Sequence, residues 1–106
     1  MSTPASEMTK LQVIIQNADS KDGKNVVDSL FSLYQKSGIR GATAWRGIKG
    51  YGRRGEVHDN VFGIAPSLPI IVETIAESPK IIAVLSKVKE IVGDRGVIVL
   101  QQVQVV

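Results

Sequence analysis

The sequence contains no cysteine and a single histidine, His58. The lack of cysteine excludes disulfides, thiolate catalysis and cysteine-based zinc sites, and it is typical of a reducing compartment. No apolar run approaches the roughly 20 residues that a membrane-spanning helix needs. The polar residues 1–9 lack the apolar stretch of a secretory signal. We therefore expect a cytoplasmic protein.

Aromatic residues are also scarce, at 5% of the chain, so the core must be built from Val, Ile and Leu. A length of 106 residues corresponds to one domain. We expect a flexible lead-in over residues 1–9 and a single domain over residues 10–106. A domain of this size buries a modest share of its surface, so oligomerisation is an accessible source of further burial.

The sequence has no obvious catalytic or metal-ligating set. His58 is followed by Asp59, but further ligands at a usable spacing are missing, and no Ser, Cys or Thr nucleophile is arranged around the pair. No two carboxylates stand at a spacing suited to acid–base chemistry. We expect a protein that is not an enzyme and has no metal site, in which His58 contacts solvent or a ligand phosphate.

Hydrophobic periodicity and turn residues predict six regular elements. Gly38 follows the first helix as a C-terminal glycine, and Ser78-Pro79 is expected to begin the second helix, with Ser78 as N-cap. In chain order, the predicted elements are a strand over 10–17, a helix over about 24–36, a strand over 40–49, a strand over 68–75, a helix from 78 to about 93, and a strand over 96–105.

This order predicts an α+β, ferredoxin-like βαββαβ fold, with a four-stranded antiparallel sheet and two helices on one face. Strand residues such as Ile14, Val72, Ile98 and Leu100 place apolar side chains on both faces of the sheet. Two helices cover only one face. We therefore expect the second face to be buried against other subunits.

Positive charge is concentrated in one segment, although the net charge is only +3. Residues 40–55 contain five bases and no acid, and glycines are interspersed among the bases: Arg40, Arg46, Lys49, Arg53 and Arg54, with Gly50, Gly52 and Gly55. Glycines let the backbone approach a phosphate, and the bases supply charge and donors. From the residues alone, such a segment is more often a solvated basic hairpin tip than a phosphate-binding loop.

The segment also resembles a known family. Lys49-Gly50-Tyr51-Gly52-Arg53 matches the run that leads into the long mobile loop of PII signalling proteins. Three short motifs are similar to those typical of the PII-like branch known as domain of unknown function 190: Gly41-Ala42-Thr43, Arg46-Gly47-Ile48 and Gly50-Tyr51-Gly52. The resemblance covers nearly the whole chain after the lead-in.

The resemblance implies a homotrimeric regulatory protein that binds an adenine nucleotide in clefts between subunits and signals to a partner, by analogy a membrane transporter or channel. A second loop, residues 92–96, would complete each cleft. It is shorter than in PII proteins, so ADP or AMP is as plausible a ligand as ATP. The implied nucleotide-binding residues are Arg46, Lys49, Gly50, Tyr51, Gly52, Arg53, Gly93, Arg95 and Gly96. The implied partner loop includes Arg54, Gly55, Glu56, His58 and Asp59.

Two other interpretations remain: a trimeric protein that binds a metal or a small anion, and an enzyme that acts on a small anion, for which a pH–rate profile centred on His58 would be needed. A trimeric protein of the divalent-cation-tolerance type, binding a metal or a small anion, would share the fold. Nucleic-acid binding through the open face is not expected, because the first and last predicted strands carry no aromatic residue. Tyr51 lies in the glycine turn at the base of the loop, so we predict no tyrosine modification of the PII kind.

Overall fold

The computed structural model describes residues 6–16, 20–21, 24–51, 57–59 and 68–106. Its main sheet has four strands, β1 (Ser6–Gln16), β4 (Thr43–Arg46), β7 (Pro69–Ala76) and β8 (Val97–Val105). Two helices, α1 (Val26–Lys36) and α2 (Ser78–Val92), connect them. Two short ribbons accompany the sheet: β2 (Ser20–Lys21) with β3 (Lys24–Asn25), and β5 (Lys49–Tyr51) with β6 (Val57–Asp59).

The strands of the main sheet lie in the order β4-β7-β1-β8, and every neighbouring pair is antiparallel. The predicted ferredoxin-like fold is therefore confirmed. β1 is an inner strand that pairs with β7 on one side and with β8 on the other. β4 and β8 are the two edge strands of this sheet.

One face of the sheet packs against both helices and forms the core. Alternate residues of β1 and β7 are fully or almost fully buried, as the period of a strand requires. The helices supply the matching apolar stripe at helical spacing. The largest fully buried side chains of this core include Leu11, Val13, Val26, Leu30, Tyr34, Val72, Ile81, Val88 and Val92.

The other face of the sheet, which we call the open face, carries mostly apolar side chains without a helix over it. The strand register aligns them on one side. At its centre Glu73 Oε1 accepts a hydrogen bond from Gln12 Nε2 at 3.2 Å and lies 3.8 Å from Lys10 Nζ. The apolar members of the open face are Met8, Ile14, Trp45, Ile71, Ile75, Val97, Val99, Val103 and Val105.

The beginning and end of α1 follow local signals. Asn25 is the N-cap, and its side-chain oxygen accepts from the Val27 amide at 2.8 Å. After the helix, Gly38 adopts a φ of 77°, and the Ile39 amide returns to the Tyr34 carbonyl at 3.0 Å. The predicted glycine stop is confirmed, whereas the helix starts two residues after the predicted Lys24.

The start of α2 differs from the prediction. Glu77 is the N-cap and makes no side-chain capping bond, and Ser78 is the first helical residue. The Ser78 hydroxyl instead shares a 2.7 Å hydrogen bond with the buried hydroxyl of Thr9 in β1. The expected N-cap role of Ser78 is therefore wrong, because a tertiary partner binds its side chain.

Two strand boundaries also differ. β1 begins at Ser6, so residues 6–9 of the predicted lead-in belong to the sheet, and residues 1–5 lie outside the described chain. The predicted strand over 40–49 is divided into β4 and β5. Between them Gly47 donates its amide to the Pro69 carbonyl at 2.8 Å.

The Tyr34 hydroxyl is buried, and no described residue provides it with a hydrogen-bond partner. Burial raises the pKa of this phenol above its ordinary value of 10.0, because the charged form is poorly solvated in the core. The folded state therefore keeps Tyr34 neutral at a pH where the unfolded chain loses the proton. Stability is retained below about pH 10 and falls as the pH rises further.

We predict that Tyr34→Phe has equal stability at pH 7 or gains up to about 1 kcal/mol, since the variant buries no unpaired hydroxyl. Its loss of stability above about pH 10 should be smaller than that of the wild type. Urea unfolding at pH 7 and in the alkaline range measures both effects. A phenylalanine variant that loses more than about 1 kcal/mol at pH 7 would show that the hydroxyl has a partner.

Candidate functional site

The two segments that the sequence analysis singled out lie at the same end of the main sheet. The basic segment leaves from the end of β4, and the loop over residues 93–96 enters β8. The end of β1 lies between them, since Gln16 pairs with Pro69 of β7 and Ile14 pairs with Val97 of β8. Four chain segments therefore meet at this end.

Of the predicted ligand residues in the first segment, the structure describes Arg46, Lys49, Gly50 and Tyr51. The side chains of Arg46, Lys49 and Tyr51 are all exposed, and that of Tyr51 is 77% accessible. An anionic ligand at the surface can therefore reach both bases. The predicted ligand residues Gly52 and Arg53 lie outside the described residues.

Arg46 lines a groove of about 360 Å³ between β4 and the first turn of α1. It shares its side of the sheet with Ile70, its partner in the register. Asp28, an exposed acid in the first helical turn, lies on the opposite wall. The groove thus combines a base and an acid over an apolar floor. Its lining residues are Asn25, Val27, Asp28, Ala44, Trp45, Arg46 and Ile70.

The predicted partner loop contains a strand. β6 pairs antiparallel with β5 and places His58 opposite Gly50 and Asp59 opposite Lys49. Within the implied partner loop, residues 57–59 are therefore extended and paired. The remaining predicted members of this loop lie outside the described residues: Arg54, Gly55 and Glu56.

The second segment is a tight turn whose glycines have structural reasons of their own. Gly93 ends α2 with a φ of 62°, a conformation that strongly favours glycine, and its amide donates to the Lys89 carbonyl at 2.8 Å. The Arg95 guanidinium donates to the Ile91 carbonyl at 3.3 Å, at the negative end of the helix dipole.

Gly96 is a site of close backbone approach. A Cβ atom there would lie 2.6 Å from Ile15 Cγ2, 2.7 Å from the Ile14 carbonyl oxygen and 3.0 Å from Val92 Cγ1. No side chain fits at this position without movement of β1. Packing alone therefore explains why residue 96 is a glycine, with or without a ligand at the turn.

Within one chain the two segments lie at opposite edges of the sheet. β7 and β1 separate β4 from β8, and three strand spacings of about 4.8 Å place the edges on the order of 14 Å apart. The edge strands face away from each other. One phosphate group bound at the β4 edge is therefore remote from Arg95 of the same chain.

Sequence reasoning missed two contributors to this region. It assigned no role to Pro69, whose ring lies against both Gly47 and Gly50. The spacing of three between these glycines was the available signal. Asp28 was not singled out, because an acid in a first helical turn is common and gives no sign of a groove.

The described residues contain no group of three or more His, Cys, Asp or Glu side chains that is placed to hold a metal ion. Neither helix among them has the length and apolar character needed to cross a bilayer.

Comparison with known proteins identifies the family. The family model DUF190, described as Uncharacterized ACR, COG1993, matches residues 8–105. The chain belongs to the DUF190 family. A relative of this DUF190 protein, a UPF0166 protein from Aquifex aeolicus (strain VF5), is 33% identical over 97 residues, which cover 91% of this chain and 90% of the relative.

Solved structures with a similar fold are PII-like proteins. CPII, a nitrogen regulatory PII-like protein from Thiomonas intermedia K12, was solved bound to ADP, AMP and bicarbonate; the match has a TM-score of 0.75 at 16% identity and covers 98% of this chain and 92% of CPII. GlnK from B. subtilis matches with a TM-score of 0.59 at 17% identity, over 92% and 86% of the two chains. This DUF190 protein therefore has a PII-like fold.

We predict that Gly96→Ala destabilises this DUF190 protein by about 1–3 kcal/mol, because the added methyl overlaps Ile15 and the Ile14 carbonyl. Gly41→Ala is the matched control, since a methyl added there would meet nothing within 4 Å and its φ is not positive. The control should stay within about 1 kcal/mol of the wild type in urea unfolding. A fully stable Gly96→Ala variant would contradict the close approach.

Proposed function

We propose that this chain is a PII-like regulatory protein, not an enzyme, which assembles as a homotrimer in the cytoplasm and binds an adenine nucleotide between its subunits. One observation carries the proposal. The basic segment and the Arg95 turn lie at one end of the sheet but on opposite edges, so a neighbouring copy is needed to bring them together.

The open face supports assembly. Trp45 is 44% accessible, Ile75 42% and Val97 55% in the single chain, although they lie on one continuous sheet face. Contiguous apolar surface of this kind is typical of an interface. In the proposed ring, head-to-tail contacts would bring the β4 edge of one copy near the β8 edge of the next.

The chemistry of the cleft suits a nucleoside phosphate. Lys49 and Arg46 approach from one subunit and Arg95 from the next, and bases with forked or mobile donors are the usual partners of phosphate oxygens. Gly52 and Arg53 complete the proposed phosphate contacts on the family pattern. CPII, which shares the fold, was solved with ADP and AMP, and this supports an adenine nucleotide as the ligand.

Signalling is assigned to the basic segment. Arg54, Gly55, Glu56, His58 and Asp59 follow the proposed phosphate-binding residues directly, so a ligand at Lys49 and Arg53 acts at the base of the segment that meets the partner. Ligand binding then shifts the conformational equilibrium of the segment. By analogy with PII proteins, we propose a membrane transporter or channel as the partner.

The proposed assembly predicts that a charge on the open face prevents trimer formation. Ile71→Glu places a carboxylate among apolar side chains, and burying it unpaired at an interface would cost about 3–5 kcal/mol. Analytical ultracentrifugation should show a trimer for the wild type and smaller species for the variant. Ile82→Glu, on the outer surface of α2 and 60% accessible, is the matched control and should remain trimeric. A monomeric wild type would contradict the assembly.

The proposed ligand predicts binding of ADP or AMP in isothermal titration calorimetry. Lys49→Ala and Arg95→Ala should each weaken binding about tenfold to a hundredfold, the equivalent of one charged hydrogen bond. Lys87→Ala, which removes an exposed base from α2, should leave affinity unchanged. No heat with ADP, AMP or ATP would contradict nucleotide binding.

Mixing the two weakened variants tests whether the site lies between subunits. In co-expressed trimers of Lys49→Ala and Arg95→Ala chains, some clefts unite an intact Lys49 with an intact Arg95 of the neighbour. These clefts should bind with wild-type affinity at reduced stoichiometry. If mixed trimers bind no better than either variant alone, both residues act within one chain.

A further inference from the structure

The pyrrolidine ring of Pro69 lies between two glycines of the segment that leaves β4. A Cβ atom added to Gly47 would lie 3.0 Å from Pro69 Cγ, and one added to Gly50 would lie 3.0 Å from the same atom and 3.3 Å from Cδ. The Gly47 amide also donates to the Pro69 carbonyl at 2.8 Å. The backbone from Gly47 to Gly50 therefore folds closely around one ring.

Pro69 is well placed to hold this backbone. It is the first residue of β7, an inner strand that pairs with both β4 and β1, and its own register partner is Gln16. The ring is thus fixed to the body of the sheet. Gly50 belongs to β5, the first strand of the β5–β6 ribbon. The contact between them connects the base of the ribbon directly to the sheet.

We infer that Gly47, Gly50 and Pro69 form a clamp that sets the direction in which the β5–β6 ribbon leaves the sheet. Gly50 is then a positioning residue: its lack of a side chain lets the backbone of β5 rest against the ring. The role extends beyond the proposed function, because it concerns the geometry of the ribbon and holds with or without a nucleotide.

The clamp makes the direction of the ribbon sensitive to a single added methyl group. A methyl group on Gly50 meets the ring at 3.0 Å, a distance at which one of the two partners has to move. β7 is paired on both sides and β5 is paired only with β6 among the described strands, so β5 is the partner that yields. A small displacement at the base of the ribbon grows along its length, up to the proposed partner residues.

Distance measurement between two spin labels tests the clamp without any ligand. Because the chain has no cysteine, Tyr51→Cys on β5 and Lys87→Cys on α2 provide the only two labelling sites, and both positions are exposed. Labelled chains are diluted with unlabelled ones, so that each oligomer carries at most one labelled copy. Circular dichroism and urea unfolding check that every variant is folded.

We expect Gly50→Ala to shift the mean distance away from the parent value or to broaden its distribution, because the contact at 3.0 Å is relieved by movement of β5. Gly41→Ala, whose added methyl would meet nothing within 4 Å, should match the parent protein. Pro69→Ala removes the ring and should broaden the distribution. In Gly50→Ala combined with Pro69→Ala, the new methyl occupies space that the ring has left, and the parent distance should return.

An unchanged distribution in Gly50→Ala or in Pro69→Ala would overturn the clamp. So would a double variant whose shift is the sum of the two single shifts, because partners in contact do not act additively. If Gly50→Ala fails to fold, the ring-removing Pro69→Ala variant alone decides the question. Absence of nucleotide binding in the unlabelled wild-type protein would contradict the proposed function and leave the clamp intact, because the label distances are measured without ligand.

Discussion

A four-stranded sheet has two faces, and the two helices of this chain cover only one of them. The covered face holds a core whose central residues, Leu11 and Val72 among them, have no accessible surface. The open face carries apolar side chains around a polar centre in which Glu73 satisfies both Gln12 and Lys10. Because the helices leave one face of the sheet uncovered, we propose that a neighbouring subunit covers it. The same subunit would complete the proposed cleft.

Much of the fold could be predicted from local signals. The alternation in β1, the apolar stripes of the helices and the glycine after α1 are all properties of neighbouring residues, and the structure confirms them. The start of α2 could not be predicted in this way. Ser78 has the sequence of an N-cap, but its hydroxyl bonds to Thr9, and nothing in the sequence near Ser78 indicates a partner so distant. For the same reason the pairing of residues 6–9 with the end of β8 was missed.

The site was predictable in its residue types and much less so in its geometry. The basic segment and the resemblance to PII-like proteins pointed to one end of the sheet. Individual glycines also have packing reasons that the sequence did not indicate, because these reasons depend on contacts across the fold. Gly96 faces Ile14 and Ile15, and Gly50 faces Pro69. The lack of a side chain that lets a backbone approach a phosphate can therefore also be required by close packing against an aliphatic neighbour. One glycine can meet both requirements.

The pairing of β1 with β8 also has a consequence for how the protein is made. Each residue of β1 in this ladder meets a partner more than eighty positions later in the chain, from Ile14 with Val97 to Ser6 with Val105. During synthesis the ribosome produces β1 long before β8, so one edge of this inner strand stays unpaired until β8 has been made. Contacts of such long range slow folding and expose strand edges to association with other chains.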